Sequence, residues 1–281
     1  MKNTVTSSFL DYINNNNGIF IYDSWVNWET TTILTWVHGN EISWIIALEK
    51  ILEKIDIVKW KVNFIVWNIK AVKSNVRFID VDMNWIFDKF DEIDKYESKR
   101  IREIIKYLEE SDSMLDILNT LNDWAIPFLL TEQVQARSLF NTNYVVEWFD
   151  NLHRWSSDRF VNKKWWRWYC LEAWYYWEIS SHELAYNSIL NFLKYTWNIK
   201  WVNNEYNILN SLIFDYKYIT KTWNFKLTKK YNDFDRVTEN DIIWYDDWIA
   251  IKAPYSGYIL FAYSPENSNR TAFCLWKNKF N

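Results

Sequence analysis

Imidazole chemistry has few places to sit in this 281-residue chain, which carries three histidines: His38, His153 and His182. His38 stands in T-W-V-H-G-N-E, three residues before Glu41. That spacing lets an imidazole and a carboxylate converge on one cation where a strand runs into a helix. The same residues also read as a polar loop in which Glu41 stabilises the N-terminus of the following helix. Further candidates are Arg77 and Asn84 in R-F-I-D-V-D-M-N-W and Glu172 in Y-C-L-E-A-W. Taken singly, Arg77 and Asn84 read as surface polar groups, and Glu172 as a solvated carboxylate at a strand end. Cys170 and Cys274 form no disulfide framework and no paired metal-knuckle spacing, so they read as buried, inert thiols.

Hydrophobic periodicity supplies the elements that must hold these groups. I-F-I-Y and T-T-T-I-L-T read as strands, and V-H-G-N leads from the second into a helix carrying Ile42, Ile45, Leu48, Ile51, Leu52 and Ile55 on one face. Val62 to Val66 reads as a strand, and Lys99 to Glu109 as a helix with Ile101, Ile104, Ile105 and Leu108 on one side. Leu115 to Ile117, Phe128 to Leu130 and Tyr169 to Leu171 read as short strands. Ser180 and Glu183 form a capping box for a third helix, which places His182 in a solvated first turn. Strands alternating with helices predict an α/β sheet over residues 1–205. Beyond Tyr206, short runs such as I-A-I-K-A, Y-I-L-F-A-Y and A-F-C-L predict a small all-β unit over 206–281. The run Asn14 to Asn17 reads as a flexible N-terminal segment.

The formal charge of −4, with 49% hydrophobic and 24% charged residues, excludes a disordered or collagen-like chain. There is no basic block to suggest a nucleic acid and no apolar run long enough to span a membrane, so a cytoplasmic setting is expected. The outlying counts are 21 Trp against 3 Gly. Ordinary chains carry roughly 7% Gly, because turns and helix stops need residues that tolerate positive φ. The two counts together come close to an ordinary glycine quota. The block from Asn162 to Trp168 reads either as a basic-aromatic cluster that could stack bases or sugars, or, with glycine for its Trp, as a flexible loop.

Taken together and in order, T-W-V-H-G-N-E, V-W-N-I-K-A, R-F-I-D-V-D-M-N-W, L-D-I-L-N-T and Y-C-L-E-A-W resemble the succinylglutamate desuccinylase/aspartoacylase family of zinc carboxypeptidase-like hydrolases. The resemblance covers roughly residues 18 to 205. It implies a carboxypeptidase-like mixed β-sheet flanked by helices, followed by a small all-β C-terminal domain. It further implies hydrolysis of an amide or ester bond in a small acylated substrate, with one Zn²⁺ per chain held by His38 and Glu41. By the same resemblance, Glu172 is the general base, Arg77 stabilises the tetrahedral oxyanion and Asn84 contacts a substrate carboxylate.

Two departures stand out. The family's third zinc ligand, a histidine in D-x-H, is Leu118 here, with His153 and His182 as the remaining imidazoles. The arginine of D-x-N-R is Trp85, which cannot form a bidentate carboxylate clamp. A metal-free homologue that only binds ligand is therefore an alternative, and the literal Trp-rich text suggests a third reading as a carbohydrate- or nucleic-acid-binding module. Trp36, Trp44 and Trp174 stand where the family has glycine. Reading UGA codons as tryptophan in a gene whose own code assigns them to glycine would produce such a text.

Overall fold

The computed structural model describes residues 7–26, 29–35, 37–41, 43–87, 89–120, 125–133, 137–148, 167–175, 179–200, 210–264 and 267–279. The elements run α1 (Ser7–Asn15), β1 (Ile19–Asp23), β2 (Thr30–Thr35), α2 (Ser43–Lys54), β3 (Lys61–Val66), α3 (Ile69–Ser74), α4 (Tyr96–Glu109), β4 (Ser113–Thr120), β5 (Phe128–Leu130), β6 (Tyr144–Glu147), β7 (Arg167–Tyr175) and α5 (Ile179–Tyr195). There follow β8 (Asn210–Ile219), β9 (Phe225–Leu227), β10 (Asp235–Val237), β11 (Ile242–Asp246), β12 (Ile249–Lys252), β13 (Gly257–Leu260) and β14 (Thr271–Asn278).

One mixed sheet of eleven strands, in the order β1-β3-β2-β4-β7-β5-β6-β8-β14-β13-β10, forms the frame. At its centre β3, β2, β4 and β7 are parallel. Both faces of these strands are covered, so T-T-T-I-L-T and V-N-F-I-V are buried along almost their whole length, Thr31, Thr32 and Asn63 included. Alternation then decides which helix each residue meets. Ile33, Phe64, Leu115 and Tyr169 pack toward Ile45, Leu48 and Ile51 of α2 and Ile189, Phe192 and Leu193 of α5. Leu34, Ile65, Met114 and Cys170 point the other way, toward Ile101, Ile104 and Leu108 of α4. Each buried Leu or Ile on these faces contributes about 1.5–3 kcal/mol relative to exposure.

The predicted α/β class is therefore found, with three local corrections. The Asn run is not a loose leader: α1 buries Phe9 and Ile13, and Asn17 turns the chain at φ 50° into β1. Ser180 lies inside α5 and cannot cap it, because an N-cap residue stands outside the helix. α4 starts at Tyr96, three residues before the start at Lys99 expected from the sequence.

In the C-terminal part, β8 lies parallel to β6 and carries the same sheet on into β14, β13 and β10. A separate three-stranded sheet, β12-β11-β9, packs on this extension around Ile243, Trp244, Ile259 and Phe273. Among the described residues, no helix is long and apolar enough to cross a membrane.

Candidate functional site

The four parallel strands present their C-terminal ends along one edge of the sheet, the usual place for ligands in α/β proteins. Leaving β2, the chain passes through His38 and Gly39 to Glu41 and enters α2. This loop lies backbone to backbone against the loop after α3. The Gly39 amide donates to the Arg77 carbonyl at 3.2 Å, and a Cβ on Gly39 would fall 2.0 Å from the Ala71 carbonyl carbon. Only glycine permits that approach.

Contact between the two loops assembles a buried chain of charges. His38 Nδ1 lies 2.6 Å from Glu41 Oε1, and His38 Nε2 lies 3.2 Å from each Asp82 oxygen. Arg77 Nε donates to Asp82 Oδ2 at 3.3 Å, and the Asn84 amide donates to Asp82 Oδ1 at 3.1 Å. From β4, the Asn119 amide donates to Glu41 Oε2 at 3.2 Å, and Asn119 Nδ2 donates to Ser181 of α5 at 2.8 Å. His38, Glu41 and Asp82 are buried, whereas the Arg77 side chain is 41% exposed and faces the solvent side of the cluster. Burial is the largest influence on the His38 imidazole and would lower its pKa, but the Glu41 charge and the bonds to Asp82 and Glu41 together push it up to about 9, against the opposing charge of Arg77. Burial likewise opposes ionisation of Asp82, yet the His38 contact, the Arg77 charge and the Asn84 amide hold its carboxyl below the ordinary range.

A second carboxylate positions this loop without joining the cluster. Glu97, wholly buried on α4, accepts from the amides of Ile79 at 2.7 Å, Asp80 at 3.1 Å and Val81 at 3.2 Å, and from Asn68 Nδ2 at 3.1 Å. Asn68 in turn caps α3 by accepting from the Ala71 amide. Sequence reasoning found neither Asp82 nor Glu97. Asp82 had a signal in its own D-x-N motif; Glu97 had none, since it reads as one more charge on a charged helix.

Strand β7 carries Glu172 well inside its length rather than at its end, half-buried and in register with Leu118 on β4 and Phe128 on β5. Leu118 is buried and belongs to the apolar cluster of Phe128, Leu130 and Met114. His182 is buried on α5, contrary to the solvated position expected for it, because α5 starts before Ser180 and packs that turn inward. Among the described residues, no three His, Cys, Asp or Glu side chains are arranged to hold a metal ion. His153, Trp36 and residues 162–166 lie outside the described residues; Trp44 and Trp174 fall in α2 and β7. Both cysteines are buried, and burial pushes the Cys274 thiol up to about 12, as fits an inert side chain.

Residues 28–134, which contain His38, Glu41, Arg77, Asp82, Asn84 and Leu118, match the succinylglutamate desuccinylase/aspartoacylase catalytic domain. The match is to that family's catalytic domain and spans well under half of the chain. Solved structures agree on the fold. A succinylglutamate desuccinylase/aspartoacylase from Rhodobacter sphaeroides superposes with a TM-score of 0.71 at 14% identity, covering 92% of this chain and 88% of that one. Succinylglutamate desuccinylase from Vibrio cholerae gives 0.72 at 12% identity, covering 93% and 85%. The product-bound ectoine utilization protein EutE (DoeB) from Ruegeria pomeroyi gives 0.70 at 14%, covering 92% and 88%. No curated protein matches the sequence. This desuccinylase/aspartoacylase fold accounts for the mixed sheet and for the strand-end placement of the cluster.

Proposed function

We propose that the chain is a deacylase-type hydrolase that binds a small acylated molecule at this strand edge and cleaves its amide or ester bond. The observation that carries the reading is the junction of His38, Glu41, Asp82 and Arg77 from two loops, with Glu172 on the strand beside β4. In this reading Glu172 accepts the proton of the attacking water and returns it to the leaving group. The Arg77 guanidinium, held by Asp82 yet open on its other side, faces the oxygen on which charge develops, where fixed positive charge counts most. Asn84 contacts a substrate carboxylate. The chemistry lies in residues 1–205, the β-rich remainder forms a second unit, and the setting is cytoplasmic.

Zinc supplies a Lewis acid in the family's chemistry, but the donors among the described residues do not fit it. Catalytic zinc takes three protein ligands and keeps one position open. Here His38 Nδ1 and Glu41 give two, already in contact with each other, and the third position is Leu118, which has no donor atom and packs among apolar side chains. Stabilisation of the oxyanion therefore falls to Arg77. A second reading, a metal-free homologue that binds ligand without turning it over, is favoured by Leu118 and by Trp85, where the arginine clamp is missing.

Calorimetry and hydrolysis assays on a panel of N-acyl amino acids, run on wild type and Glu172→Gln, separate the two readings. Hydrolysis lost in Glu172→Gln with binding kept supports the hydrolase; binding without hydrolysis in either protein supports the second reading; neither binding nor hydrolysis overturns both. After dialysis against zinc, wild type is expected to hold well below one zinc per chain by plasma mass spectrometry, and Leu118→His about one. Wild type near one per chain would show that the donor set has been misjudged.

A further inference from the structure

We infer that most of the 21 tryptophans stand where the native protein carries glycine. The structure supports this through backbone conformation and through hydrogen bonding, two observations independent of the composition and of the proposed activity.

Four tryptophans, Trp25, Trp60, Trp148 and Trp197, lie in the left-handed region at φ between 60° and 63°. A bulky side chain there is a genuine outlier, while glycine adopts it freely. Trp197 shows what the backbone requires. It follows α5, donates its amide to Lys194 at 3.0 Å, and is succeeded by Asn198, whose amide donates to Leu193 at 2.9 Å. This is the Schellman helix stop, whose left-handed residue is usually glycine and sometimes asparagine. The chain uses the same stop twice more. Asn17 ends α1 with its amide on Asn14 and the Gly18 amide on Ile13; Asn75 ends α3 with its amide on Val72 and the Val76 amide on Ala71. Among the described residues two of these three stops hold asparagine, and the third holds a bulky aromatic residue.

One hairpin adds a sequence preference and an exposed ring, with the positive φ on its aspartate and not on its tryptophan. The two-residue connection between β11 and β12 is Asp247-Trp248, with Asp247 at φ 54° and the indole 91% exposed. Hairpins of this length prefer Asp-Gly. Trp25 is 88% exposed and Trp223 80% exposed, which leaves large apolar rings in water. In the interior, Trp67, Trp168, Trp244 and Trp276 are all buried, and none of their indole N–H groups has a hydrogen-bond partner. Native buried indoles usually find one. The cause that joins these sites is a code in which UGA specifies glycine, read with a table in which it specifies tryptophan. Trp85, an exposed indole, adjoins Asn84, whose amide donates to Asp82.

The test is tandem mass spectrometry of peptides from the protein isolated from its own cells, covering positions 25, 60, 148 and 197. Glycine at all four is the expected result. Tryptophan at two or more of the four overturns the inference, as would UGG at most of the 21 tryptophan codons in the gene.

Discussion

Replacing Trp25, Trp60, Trp148 and Trp197 together by glycine tests the conformational argument on recombinant protein. A non-glycine residue in the left-handed region costs roughly 1–2 kcal/mol. Glycine gives back about 0.5–1 kcal/mol at each site by loosening the unfolded chain. Trp197 also loses the Lys59 ammonium that lies 5.9 Å from its ring centroid, a contact worth about 0.5–1 kcal/mol at an exposed site. The net gain expected for the quadruple variant is about 2 kcal/mol, or roughly 3–4 °C in melting temperature for a chain of this size. Thermal and urea unfolding followed by circular dichroism would read it. The decisive control is the quadruple alanine variant, which removes the same rings but keeps a Cβ at positive φ and should gain nothing. Equal gains from glycine and alanine would refute the reasoning, since exposed rings rather than backbone conformation would then be the cause.

Other consequences can be measured separately. Glu97→Gln keeps the shape but removes the charge that collects the amides of residues 79–81; it should cost about 2 kcal/mol in urea unfolding and speed hydrogen exchange at those amides. Gly39→Ala forces a methyl into the Ala71 backbone and should separate the two site loops, visible as lost ligand binding with the sheet's circular dichroism retained. Asp246 accepts from the Tyr218 hydroxyl at 2.6 Å and the Lys221 amide at 2.7 Å; burial opposes its ionisation, but these bonds and those from Thr222 keep its pKa lowered. Its stabilisation is thus present above its ordinary pKa of 3.8 and is lost as pH falls through the lower folded value. Asp246→Asn should remove that acid dependence and cost roughly 2 kcal/mol at neutral pH.

The central strands were legible because both of their faces are buried, so an apolar run and its length carry the signal without any tertiary knowledge. His38 and Glu41 were legible for a related reason: they are neighbours in sequence, and one loop suffices to bring them together. Asp82 meets His38 only because α3 returns the chain to the β2 edge, and nothing local to D-V-D-M-N states that return. Glu97 was illegible because its partners are backbone amides, which every sequence possesses. The pairing of β8 with β6 was hidden as well, since N-S-L-I-F-D-Y-K-Y-I alternates with buried and half-exposed residues that fit several partners. The solvated reading of His182 failed on a helix boundary, since moving the start of α5 back by a residue or two turns that side chain inward.

The parallel ladder from Tyr144–Asn210 to Glu147–Ile213 bears on how the chain can be cut. Ending it near residue 205 would strip β6 of its outer neighbour, leave Val145 and Val146 on a bare margin and take Lys279 away from Glu147. Such margins recruit strands from other molecules. A fragment that keeps every residue of the His38 cluster should therefore precipitate or form β-rich assemblies, and the last 76 residues serve the first 205 as the cover that keeps their sheet from joining another.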